Sequence, residues 1–198
     1  MTVPTIRLFL ASEVPGAQKA ALAEILEPAR GLLPEARWTE MDSWHVTLKF
    51  LGEIPKQMLE TVQEVVAEVT QGHPPVASHL TNVGVFPNQK RPRVLWMGLA
   101  DDDSSIMNLG AMLEASFAKQ KFRKEERPVR PHLTLARFKE PRAEPAKVLK
   151  VIEGLKAAEL DRSEFRVSEL ILFQSKLSPQ GAKYDPLMRF PLAQTRLS

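Results

Sequence analysis

Two of the chain's four histidines stand in the same setting: His45 opens His-Val-Thr-Leu and His132 opens His-Leu-Thr-Leu, 87 residues further on. Chance supplies only about 0.2 His-x-Thr triplets in a chain of this composition, so a pair of them is a signal. In a strand, residues i and i+2 share a face. His45 with Thr47, and His132 with Thr134, therefore point one way while Val46, Leu48, Leu133 and Leu135 point into a core. Two imidazoles flanked by two hydroxyls suit in-line displacement at phosphorus: one ring takes a proton from the attacking oxygen and the other gives one to the leaving oxygen. An imidazole pKa of about 6.5 makes both protonation states accessible at neutral pH. Threonine hydroxyls, aided by a nearby Arg or Lys, can hydrogen-bond the nonbridging oxygens. Neither a metal nor any other cofactor is required. A lone strand histidine is ordinarily a structural side chain held by hydrogen bonds, and it is the duplication that turns the reading toward chemistry. His73, in a Gly-His-Pro-Pro turn, and His79, with no threonine two residues on, read as structural; neither has metal-ligand spacing to a second group.

The elements that must position these residues repeat at the same offset. Arg7–Ala11 falls on Val94–Gly98, each followed by a helix-like segment at 15–30 and 103–120; a helical pattern at 56–70 falls on 143–157; and Val83–Phe86 falls on Leu170–Phe173. Each unit reads strand, helix, strand, helix, strand, with a further strand-like piece after it at 93–100 and 182–190. Gly31 and Pro34 end the first helix, and Gly72-His-Pro-Pro75 ends the second. Asp101-Asp-Asp103 precedes the third, where carboxylates cap and complement the helix dipole more often than they hold a metal. A period this long is too large for a solenoid. The expectation is a single bilobal domain over 1–198, α/β (α+β) in class. Its repeats at about 7–86 and 94–173 form two pseudo-symmetric lobes, each a mainly antiparallel sheet flanked by helices, with the active groove between them.

Composition narrows the setting. The chain has 198 residues, 43% of them hydrophobic and 26% charged, the profile of a soluble globular protein. It contains no cysteine, which excludes disulfides, thiolate metal ligands and cysteine nucleophiles, and a cytoplasmic location is expected. The N-terminal apolar run is interrupted by Arg7 and fails as a signal peptide, and no stretch approaches the length of a membrane span. A net charge of +3 permits an anionic partner. The segments 121–130 and 86–93 are both basic and carry an aromatic. They could follow an RNA backbone while Trp38, Trp44 or Phe50 stacks on a terminal base, or they are simply solvated turns. Nothing in the sequence calls for an oligomer, and a monomer is expected.

The tandem motifs, with Trp44 to Glu53 around the first and Pro131 to Arg137 around the second, resemble the two-histidine phosphoesterases. Within them the chain is similar to the bacterial and archaeal RNA 2′,3′-cyclic phosphodiesterases, also called 2′-5′ RNA ligases. The likeness runs from the N-terminal Arg7–Ala11 strand through Gly84–Phe86 and Arg93–Trp96 to Leu172–Leu177, Gly181 and Tyr184. It implies metal-free hydrolysis of an RNA-terminal 2′,3′-cyclic phosphate to a 2′-phosphomonoester, with 2′-5′ RNA ligation as a reverse-type activity. It further implies His45 as proton donor to the leaving 3′ oxygen and His132 as proton acceptor from water, with Arg137 binding phosphate and Arg130, Phe50 and Tyr184 among the substrate contacts. The sequence alone does not fix the order of the histidines. Strict alternation would put Arg137 on the face of Leu133 and Leu135, so it reaches the groove only if the strand ends or bulges before it. Two alternatives use the same residues: an RNA-end binding module without turnover, and a phosphodiesterase of small cyclic nucleotides or 2′-5′ oligonucleotides.

Overall fold

The computed structural model describes residues 3–125, 130–139, 144–158, 164–178 and 181–193. In chain order the elements are β1 (Thr5–Glu13), α1 (Gly16–Leu32), β2 (Arg37–Trp38), β3 (His45–Pro55), α2 (Leu59–Gln71), β4 (Val76–Ser78) and β5 (Leu80–Phe86). They continue with β6 (Val94–Leu99), α3 (Ser105–Lys119), β7 (His132–Arg137), α4 (Pro145–Ala157), β8 (Phe165–Val167), β9 (Glu169–Ser178) and β10 (Gly181–Pro191). The class is α+β, as expected.

The helices form because their apolar residues recur at helical spacing. Val62, Val65, Val66 and Val69 make the buried stripe of α2, and Val148, Val151, Ile152 and Leu155 make that of α4. At the start of α3, Asp101 accepts the backbone N–H groups of Ile106 and Met107 at 2.7 and 2.9 Å, and Asp103 accepts that of Ser105 at 3.0 Å. The acidic run is a helix cap. Helix α1 packs against α4 and α2 against α3. All four contribute to one core, together with Leu8, Leu10, Val46, Leu48, Leu133 and Leu135 from the strands. Among the described residues no helix is long and apolar enough to cross a membrane.

The strands run antiparallel in the order β10-β9-β1-β3-β7-β6-β5, with β2 also against β7; β4 and β8 form a separate two-stranded pair. About the β3–β7 contact, β3-β1-β9 mirrors β7-β6-β5 once each strand is matched to its counterpart 87 residues away, and β10 is an additional edge strand beyond β9. One feature departs from the sequence reading. The last strand of each unit does not stay with its own unit: β5 pairs with β6 of the second, and β9 pairs with β1 of the first. Each half-sheet is thus completed by a strand from the other unit. Local hydrophobic pattern marks a strand but says nothing about which edge it joins, and so it could not reveal this exchange. The short β2, β4 and β8, of two or three residues each, are too brief to carry a periodic signal that separates them from loops.

Candidate active site

The two halves meet where β3 lies against β7, with Val46 opposite Leu133. In an antiparallel register that puts His45 across from Thr134 and Thr47 across from His132. The histidines are then diagonal cross-strand neighbours, with backbones about 7–8 Å apart by ordinary sheet geometry. Burial alternates as the motif requires: Val46, Leu48, Leu133 and Leu135 are buried, while His45, Thr47, His132 and Thr134 are half-buried on the opposite face.

Both rings are held in the same way. His45 Nδ1 lies 2.7 Å from the Ser43 carbonyl, and His132 Nδ1 lies 2.6 Å from the Arg130 carbonyl, in each case the residue two positions earlier. A carbonyl only accepts, so Nδ1 carries the proton and donates it. In the neutral ring the lone pair therefore sits on Nε2, the nitrogen available for proton transfer.

Aromatic rings wall in each imidazole. His45 lies 4.9 Å from Phe9, 5.8 Å from Phe173 and 5.0 Å from Tyr184, the last edge-on, measured between centroids. His132 lies 5.2 Å from Phe86 and 6.4 Å from Trp96. Phe9 and Trp96 are 87 residues apart, as are Phe86 and Phe173. These four rings were not singled out from the sequence, although the repeat offset that found the histidines would have found them too.

Burial pushes the His45 imidazole down to about 4, and the positive charges of Lys19, Arg137 and His132 push in the same direction, against the Ser43 carbonyl. Burial, and then Arg137, also lower His132. Between pH 6.5 and about 4 the native His45 stays neutral while the unfolded chain binds a proton there, so stability is lost as the pH falls through that window. Urea unfolding across this range is expected to show a shallower rise of stability with pH in His45→Ala than in the unmodified protein. Equal slopes would contradict the burial of a neutral ring.

Arg137 reaches the groove side by a β-bulge. Across from β7, Leu95 pairs with Ala136 but Trp96 pairs with Thr134, so Leu135 is an extra residue. Leu135 and Ala136 are consecutively buried and Arg137 emerges exposed. The other half repeats the device: Leu10 pairs with Lys49 and Ala11 with Thr47, so Leu48 is extra and Phe50 emerges at 55% exposure. Phe50 and Arg137 occupy equivalent positions, one apolar and one cationic. Phe50 lies 5.9 Å from Phe9 and Tyr184 lies 5.1 Å from it, so in the His45 half these two rings cover a buried apolar cluster of Phe9, Ala11, Ile171 and Phe173.

Other expected contacts fare differently. Arg130 is exposed, and its contribution here is the carbonyl that holds His132; residues 126–129 of the basic segment lie outside the described residues. Trp44, at 1% exposure, is core and unavailable for stacking. Trp38 donates Nε1–H to the Leu33 carbonyl at 3.2 Å and sits beneath Arg30, away from any base-binding role. His73 is buried with Nδ1 2.8 Å from the Pro74 carbonyl, a structural setting. A cavity of about 480 Å³ beyond the end of β1 is lined by Glu13, Lys19, Asp42, Arg166 and Glu169, and Lys19 is the one of these whose charge also acts on His45.

Comparison with known proteins adds four findings. A family model described as the 2′-5′ RNA ligase superfamily matches residues 17–178. A protein of Methanothermobacter thermautotrophicus, named RNA 2′,3′-cyclic phosphodiesterase, is 31% identical over 94% of this chain and 99% of its own length. Among solved structures, TT0787 of Thermus thermophilus superposes with a TM-score of 0.79 at 26% identity, covering 96% of this chain and 100% of that one. Escherichia coli LigT complexed with 3′-AMP shows the same fold, with a TM-score of 0.73 at 23% identity over 96% of this chain and 100% of that one.

Proposed function

The chain belongs to the 2′-5′ RNA ligase superfamily, and on that footing we propose that it hydrolyses the 2′,3′-cyclic phosphate at an RNA end to a 2′-phosphomonoester, using His45, His132, Thr47, Thr134 and Arg137 and no metal. The observation that carries the reading is the duplicated ring geometry: two imidazoles on adjoining strands, each with Nδ1 tied to a carbonyl two residues back and Nε2 left for proton transfer. A binding module would need the donors but not this matched pair.

The asymmetry between the halves supports His45 as the proton donor and His132 as the proton acceptor. Phe50 and Tyr184, backed by that buried cluster, offer the His45 side to a nucleobase, since base–aromatic stacking is sequence-tolerant and favourable. The ribose and its leaving 3′ oxygen then lie beside His45, and Arg137 takes the nonbridging oxygens from the other half. His132 Nε2 accepts a proton from water as the water oxygen bonds to phosphorus. The P–O3′ bond breaks, and His45 gives its proton to O3′. Without substrate, burial keeps His45 neutral; an anionic phosphodiester placed against the ring offsets that penalty and draws the proton on. The enzyme so described acts as a monomer in the cytoplasm.

RNA rather than a small cyclic nucleotide is supported by exposed Lys90, Arg91, Lys121, Arg123 and Lys124. Lysine and arginine contacts to phosphates release counterions, so KM for an oligonucleotide ending in a 2′,3′-cyclic phosphate should rise with salt more steeply than KM for the mononucleotide. The longer substrate should also have the higher kcat/KM. Equal salt slopes and equal kcat/KM would transfer the assignment to small cyclic nucleotides.

A further inference from the structure

The bulge that turns Phe50 toward the groove also turns Lys49 the other way, into the interior. Lys49 is 1% exposed, and its Nζ donates to Glu114 Oε2 on α3 at 2.6 Å and to the Arg123 carbonyl at 3.3 Å. The other carboxylate oxygen of Glu114 accepts the backbone N–H of Glu125 at 3.1 Å, and Glu125 Oε1 accepts the backbone N–H of Phe50 at 3.2 Å. A closed circuit thus runs from β3 through α3 to the segment 121–125 and back to β3 at the exposed ring.

A buried lysine is an expensive way to fill that position. Its ammonium loses hydration that the partner carboxylate only partly replaces, and a well-packed apolar residue is often no less stable. The other half of this same molecule makes the comparison: the equivalent residue of β7 is Ala136, fully buried with no charge to satisfy. What the lysine adds is attachment. Without the Lys49–Glu114 pair, nothing described ties Arg123 to the sheet, and Glu114 loses the cation that fixes the carboxylate to which Glu125 is bound.

We propose that Lys49, through Glu114, is a positioning residue that clamps the 121–125 segment beside Phe50, so that Lys121, Arg123 and Lys124 meet the RNA upstream of the cyclic phosphate. The proposal rests on the RNA-end reading above. Lys49 touches neither phosphate nor base. Its effect falls on how much a longer RNA gains over a mononucleotide, not on the proton transfers.

The test uses the full chain, with Lys49→Met removing the buried charge and Glu125→Ala cutting only the outer tether to Phe50. Each is assayed on an oligonucleotide ending in a 2′,3′-cyclic phosphate and on a mononucleotide 2′,3′-cyclic phosphate over a range of salt. Loss of the positioned cations should lower oligonucleotide kcat/KM by about tenfold and flatten its salt slope, while the mononucleotide value stays within about twofold. Glu125→Ala should move the same ratio in the same direction by less, and it decides the matter if Lys49→Met does not fold. Proportional losses on both substrates would mean a general structural role, and unchanged ratios in the folded variants would mean no role; either overturns the proposal. Absence of any oligonucleotide preference in the unmodified protein would instead overturn the RNA-end reading, and this proposal with it.

Discussion

Replacing either His45 or His132 with alanine is expected to lower kcat by about 10²–10⁴-fold, the range for loss of one general acid or base. In the proposed mechanism the two residues serve different oxygens at the same phosphorus, and neither does the other's work from its own strand. Each ring is fixed by one hydrogen bond to a backbone carbonyl and by packing against aromatic side chains. Alanine therefore removes the proton carrier while the β3–β7 contact, made by Val46 and Leu133, remains. Thr47→Ala and Thr134→Ala should lose less, because a hydroxyl stabilises charge without carrying the proton. The double histidine variant should fall well short of the product of the two single losses, since either loss alone already breaks the relay. Steady-state kinetics on a cyclic-phosphate substrate decides this, and single variants that kept near-normal kcat would remove the histidines from the mechanism.

Arg137→Ala is expected to cost about 10²–10³-fold, mostly in kcat, as for removal of one preorganised donor from a developing oxyanion. Its positive charge lowers the pKa of both imidazoles, and its strand bulges so that it emerges on their side of the sheet. Arg137→Lys should recover only part of the loss, because a point charge does not reproduce a planar two-pronged donor. The contrary result is a variant whose KM rises while kcat stays unchanged, which would make Arg137 a contact for substrate in general and not for the transition state.

The sequence made some of this legible and hid the rest for identifiable reasons. The duplicated His-x-Thr motifs carry their own face assignment through strand alternation, so the pair could be placed opposite a core before any fold was known. The Asp101 and Asp103 caps were legible because carboxylates ahead of an apolar helical run have a local use. Arg137 shows where alternation stops: the consecutive apolar Leu135-Ala136 signals a bulge, while the matching bulge at Leu48-Lys49 is masked because its second residue is charged. That lysine reads as a solvated strand residue until Glu114, 65 positions away, is seen to face it. Trp38 and Trp44 mark the opposite limit, since an indole near a motif is as useful to a core as to a base. The exchange of β5 and β9 between the halves depends on long-range edge choice, which no local pattern records.

The account is tested most directly by incubating an RNA oligonucleotide ending in a 2′,3′-cyclic phosphate with chelator-treated protein and identifying the product by phosphorus NMR. The result predicted is turnover that needs no added divalent ion and gives only the 2′-phosphomonoester. A 3′-phosphomonoester, or activity that returns only when metal is restored, would contradict it.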